Sequence, residues 1–97
     1  MNAVLNIYND CSSEKPTKQY VCRRLLFGAA QKIQSLSESL TGKNEAEQES
    51  ITIDILKTIF PHFESEDFHY IDVAEWAQFV AAIGAESNEI MKNFVKK

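Results

Sequence analysis

The stretch Asp72 to Phe94, DVAEWAQFVAAIGAESNEIMKNF, constrains the fold of this 97-residue chain more than any other. Its Val73, Trp76, Val80 and Ile83 recur at intervals of three and four, which sets them on one stripe of an α-helix. Asp72 and Glu75 have the spacing of a capping box and open that helix. Gly84 either bends the helix or divides it, with Ser87 capping a second piece; the reading adopted is one helix bent near Gly84. The stripe needs a cover, from this chain or from a partner.

Upstream, the period of the apolar residues changes twice. Ala3 to Tyr8 and Thr17 to Cys22 are short runs rich in branched and aromatic residues, separated by the polar stretch NDCSSEKP. They read as a β-hairpin with a long, mobile loop. A lone hairpin is marginal in water, so it must dock on helices or pair with another chain's strand edge. From Arg23 the spacing becomes helical, with Leu26, Ala30, Ile33, Leu36 and Leu40 on one face and Gly42 as a left-handed cap. A first helix is therefore expected over Arg23 to Thr41. Gly28 inside it implies close packing.

Asn44 and Glu47 repeat the capping-box spacing and start a second helix that runs to Phe60 and stops at Pro61. Ile51, Ile55, Leu56 and Ile59 face its core side, and Ile53 falls off the stripe. In PHFESEDFHYI, Ser65 caps a short turn, and Phe60, Phe63, Phe68 and Tyr70 plug the base of the helical layer. The expectation is a single α+β domain over 1–97, mainly α-helical with three to four helices and a short N-terminal β-hairpin. The hairpin occupies 1–22 and the helical part 23–97.

Composition narrows the function classes. With 44% hydrophobic and 25% charged residues the chain should fold, and no apolar run is long enough to cross a membrane. Polar residues interrupt the first ten positions, unlike a signal peptide, so the expected location is cytoplasmic. Cys11 and Cys22 form no CxxC pair and read as free thiols, Cys22 packed and Cys11 in a loop. Net charge is −4, and from Asn44 to Glu75 nine acids face the single base Lys57, leaving +4 on the rest. The acidic middle repels nucleic acid phosphates. It is either a solvated face or a complement, in a neighbouring copy, to Lys15, Lys18, Arg23 and Arg24 and to the terminal lysines.

Candidate chemistry is sparse. His62 and His69 stand among Glu64, Glu66, Asp67 and Asp72, but seven residues apart across a turn, which fits neither zinc-protease spacing nor an EF-hand loop. No base accompanies either cysteine, no serine lies in a GxSxG elbow, and the three glycines form no phosphate loop. No catalytic residue, metal site or cofactor is expected, and the chain reads as no enzyme. What remains is apolar surface. Trp76, Phe79, Val80, Ile83, Ile90, Met91 and Phe94 exceed what two short helices and a hairpin can easily cover, and of these Phe79, Ile83, Ile90, Met91 and Phe94 are the expected partner-binding residues, implying a homo-oligomer or a helical client in a groove.

The order of features resembles the small tail assembly chaperones of long-tailed bacteriophages and Gram-positive prophages. The likeness is carried by VLNIYND, similar to that family's N-terminal strand and turn, by the second strand ending at Tyr20-Val21-Cys22, by the acidic helix leading into IFPHFESEDF, and by the Ile71-Asp72-Val73 entry to the last helix. The polar loop from Cys11 to Lys15 and the paired Arg23-Arg24 depart from it. The resemblance implies a non-enzymatic protein that binds and solubilises the helical tape measure protein while the tail tube assembles. It also implies a longer, frameshifted form that recruits the tail tube protein, for which Val95-Lys96-Lys97 fits a lysine-coded slippery run; a solubilising basic tail fits it as well. A rival of another class is a small acidic inhibitory or immunity-type protein that masks a basic partner.

Overall fold

Alternation of side chains builds the first element. In the computed structural model, which describes residues 2–95 except for the side chains of 94 and 95, strands β1 (Ala3–Ile7) and β2 (Lys18–Cys22) pair antiparallel, with Ala3 opposite Cys22 and Leu5 opposite Tyr20. Ala3, Leu5 and Ile7 turn inward and are buried, as is Cys22, while Val4 and Val21 face outward. The connecting loop carries its own turn: Asp10 Oδ1 accepts from the Ser12 amide at 2.9 Å and the Ser12 hydroxyl at 2.7 Å. Those bonds, the hydroxyl's first, hold the Asp10 carboxyl below its ordinary value.

Helix α1 (Phe27–Glu38) begins four residues later than its periodicity predicts and ends before Thr41. No Ser, Thr, Asp or Asn lies between Val21 and Phe27 to cap an earlier start, and Leu26 sits at the N-cap position without a side-chain cap. At the other end the Ser39 hydroxyl donates to the Leu36 carbonyl at 2.6 Å, which competes with continued helix. Gly42 takes the expected left-handed conformation (φ 78°), but within the following turn instead of at the cap itself. Only Ala30 and Ile33 of α1 are buried; Leu26 is 65% exposed, so it leaves the predicted stripe.

Helix α2 (Glu45–Ile59) starts where its cap requires, with Asn44 Oδ1 accepting from the Glu47 amide at 2.9 Å. Its Leu56 is fully buried and Ile53 is half-buried. A 3₁₀ helix (Ser65–Tyr70) follows, preceded by Glu64 and without the expected Ser65 side-chain cap, and Tyr70 points out of the base that it was predicted to plug. Helix α3 (Val73–Val95) is uninterrupted through Gly84, opened by Asp72 Oδ1 accepting from the Glu75 amide at 3.0 Å. Ser87 is therefore no cap; it is buried mid-helix.

The buried stripe of α3 is rotated from the predicted one. Phe79 and Ile83 are buried, Trp76 and Ile90 are half-buried, and Val73 and Val80 are exposed. Both 76-80-83 and 76-79-83 fit helical spacing, but burying Phe79 removes more apolar area from water than burying Val80. Rings then join β2, the end of α2, the 3₁₀ helix and α3: Tyr20 of β2 meets Phe60 at 5.3 Å and Phe63 at 5.1 Å, Phe60 meets Phe79 at 5.9 Å, and Trp76 stacks on Phe79 and meets Phe68 edge-on, each at 5.9 Å between centroids.

Hairpin and helices thus share one core, from Leu5 and Cys22 to Leu56, Phe60, Phe79 and Ile83. At its far end β1 also forms an isolated antiparallel bridge, Ile7 to Ile71, with the Tyr8 amide donating to the Tyr70 carbonyl at 2.9 Å. A side chain at Gly28 or Gly84 would meet nothing within 4 Å, so close packing does not explain Gly28. Accordingly Gly84→Ala should raise stability by about 0.5–1 kcal/mol, Val80→Ala should be near neutral, and Leu56→Ala should cost about 2–5 kcal/mol. Urea unfolding of the three variants checks this order.

Candidate functional site

Two carboxylates fasten the hairpin to the helical layer. Lys18 and Tyr20 alternate on the inner face of β2, so both reach the 3₁₀ helix below. Asp67 is the acceptor there, buried at 8% exposure, and it takes bonds from Lys18 Nζ and the Tyr20 hydroxyl, each at 2.8 Å. Lys18 also lies 3.3 Å from Glu64. The bond to Asp67 holds the Lys18 ammonium above the usual lysine value, while burial and then the same bond push the Tyr20 phenol up.

Glu75, in the first turn of α3, makes the second tie. Its carboxylate accepts from the Tyr8 hydroxyl at 2.8 Å and from Asn6 Nδ2 at 3.2 Å, and Asn6 in turn accepts from Gln19 at 2.8 Å. The bond to Glu75 raises the Tyr8 phenol above its ordinary value, with desolvation adding to it. The sequence sets Asp67 among the acids around His62 and His69 and Glu75 in a capping box, and neither pattern points to the hairpin. Lys18 and Tyr20 on one strand face were the available signal for a buried acceptor.

Around these ties lie two open clefts. One of about 900 Å³ separates the hairpin loop from the start of α3, lined by Tyr8, Asp10, Cys11, Glu14, His69 and Val73 among others. A smaller one of about 380 Å³ runs between β1 and α3, beside Val4, Glu75 and Gln78. His69 Nε2 lies 3.0 Å from Glu49 Oε1, an exposed pair, and His62 is exposed. Among the described residues no three His, Cys, Asp or Glu side chains converge as a metal set. Both thiols are free, Cys11 exposed and Cys22 buried, and burial pushes the Cys22 thiol up, away from the reactive thiolate.

The expected partner-binding residues do not form one exposed surface. Phe79 is 4% and Ile83 5% exposed, both spent on the internal core, so they offer nothing to a partner. The reason is the rotated stripe of α3 already described. Ile90 is half-buried against the same core and Met91 is half-buried; the Phe94 side chain lies outside the described residues. The exposed large apolar side chains among the described residues are others: Val73 at 83% and Val80 at 47% on α3, Leu26 at 65% and Phe27 at the start of α1, Tyr70, and the Val4–Val21 pair on the hairpin.

Among the described residues no helix is long and apolar enough to cross a membrane. Compared with models of protein families, with curated proteins and with solved structures, the chain shows no match to any.

The raised tyrosines give a pH signature. A phenol whose value is higher in the fold than in the unfolded chain contributes stability that is complete below pH 10.0 and is lost as pH rises through the raised value. Alkaline titration followed by tyrosinate absorbance should show Tyr8 and Tyr20 ionising later than free tyrosine. Glu75→Gln should bring the Tyr8 midpoint back toward 10.0 and leave Tyr20 in place. An unchanged Tyr8 midpoint would remove Glu75 as its partner.

Proposed function

We propose that this chain is a non-enzymatic binding protein of the cytoplasm, acting as a tail assembly chaperone that holds the helical tape measure protein while the tail tube forms around it. The observation that supports this reading best is the outer face of α3. Val73, Ala77, Val80 and Ala81 recur there at helical spacing and are all exposed, with Gly84 continuing the line at half-burial. A shallow face of small apolar side chains on a continuous helix lets a second amphipathic helix approach closely. It replaces the predicted groove at Phe79 and Ile83, which the core has consumed. Binding by several copies along one long client would add weak contacts by avidity, and a frameshifted longer form would reach the tail tube protein.

An inhibitory or immunity-type role keeps one observation in its favour. Glu45, Glu47, Asp54, Glu66 and Asp72 are exposed, and no ion pair involves them among the described residues. Such a surface suits a basic partner whose affinity falls steeply with salt.

Co-expression with the large tape measure gene separates the two. The chaperone reading expects soluble, co-purifying client that survives high salt, and it expects Val73→Asp with Val80→Asp to abolish this with the circular dichroism spectrum unchanged. Insoluble client with the unmodified chain, or full rescue by the doubly substituted one, would remove the role from this face.

A further inference from the structure

The hairpin has one edge with no strand paired to it among the described residues. β1 is flanked by β2 on one side and by Ile71 and α3 on the other. β2 pairs with β1 alone, and among the described residues no element runs along its other side. The Thr17 amide bonds to the Ile7 carbonyl and the Tyr8 amide to Tyr70, so Ile7 presents its backbone to β2 and Tyr8 presents its own away from it. Backbone direction alternates along an antiparallel ladder. Gln19 and Val21, opposite Asn6 and Val4, therefore turn their N–H and C=O groups to the open side.

The surroundings of this edge state its chemistry. Directly after β2 come Arg23 and Arg24, both exposed, and neither has a carboxylate within 4.0 Å among the described residues. Val21 and Val4 form an outward apolar pair beside the edge, and Leu26, 65% exposed, lies just beyond the arginines. We propose that the open edge of β2 receives an extended peptide strand with alternating apolar and acidic residues. Its main chain bonds to Gln19 and Val21, and its carboxylates meet Arg23 and Arg24.

A second copy of β2 is the poorer occupant. Antiparallel pairing of two such strands would bring Arg23 and Arg24 of each toward the exposed Lys15 of the other, and like charges so placed repel. A nucleic acid would satisfy the arginines but not the row of main-chain donors and acceptors. This surface lies on the hairpin and is separate from the α3 face proposed for the helical client, so either can fail alone.

The test uses the full chain, isotope-labelled for NMR, and a synthetic octapeptide alternating valine and glutamate. The expected result is that the peptide shifts the Gln19 and Val21 amide resonances and slows their exchange with solvent. Replacing its glutamates by lysines, or N-methylating alternate amides, should weaken binding by about tenfold or more, and R23E/R24E should reverse the charge preference. No perturbation of those amides at millimolar peptide would overturn the proposal. So would equal binding of the N-methylated peptide, or the same shifts produced by raising protein concentration alone, which would assign the edge to a second copy.

Discussion

A hairpin of two five-residue strands buries too little to stand alone in water, and in this chain Tyr20 ties it down. Its ring lies between Phe60 and Phe63, at the junction of α2 and the 3₁₀ helix, and its hydroxyl ends on the buried Asp67 carboxylate. The same carboxylate takes the Lys18 ammonium. A buried charge is tolerable only where it is paired and hydrogen-bonded, and Asp67 Oδ2 takes two strong donors from one strand face. Loss of Asp67 would leave Tyr20 and Lys18 without their common acceptor and weaken the junction from the polar side, while the ring cluster holds it from the apolar side.

That junction also explains the phase of α3. Phe60 is fixed by Tyr20 and the end of α2, and Phe79 completes the stack by turning toward it. Once Phe79 is inside, Val80 and Val73 are outside, and Trp76 takes its place between Phe68 and Phe79. Glu75 then falls on the side of β1, where Tyr8 and Asn6 reach it. One packing choice among aromatic residues thus decides both which apolar residues form the core and which are left for other molecules.

Local chemistry was legible in the residues, and long-range competition was not. Asn44 and Asp72 start their helices as their side chains dictate, Pro61 follows the end of α2, and the alternation of β1 and β2 gives the hairpin and its buried face. These depend on neighbours within a few positions. The start of α1 was missed because helical spacing from Arg23 carries no cap to begin it. On α3 two phases fit the helical spacing equally, and the larger area of Phe79 together with the ring of Phe60 that it meets favours the observed one. Assigning Phe79 and Ile83 to a partner followed from underestimating the core, which draws on the hairpin as well as the helices. The Asp67 and Glu75 ties join residues more than forty positions apart, and no local pattern announces them.

If the core and the two carboxylate ties make hairpin and helices a single cooperative unit, the exposed faces of α3 and β2 are surfaces of a rigid body. Native-state hydrogen exchange tests this most directly. The Leu5 amide of β1 and the Leu56 amide of α2 should exchange with the same opening free energy, equal to that of global unfolding. Exchange of the β1 amides through an opening several kcal/mol below the global one would show that the hairpin detaches on its own, and would contradict the account.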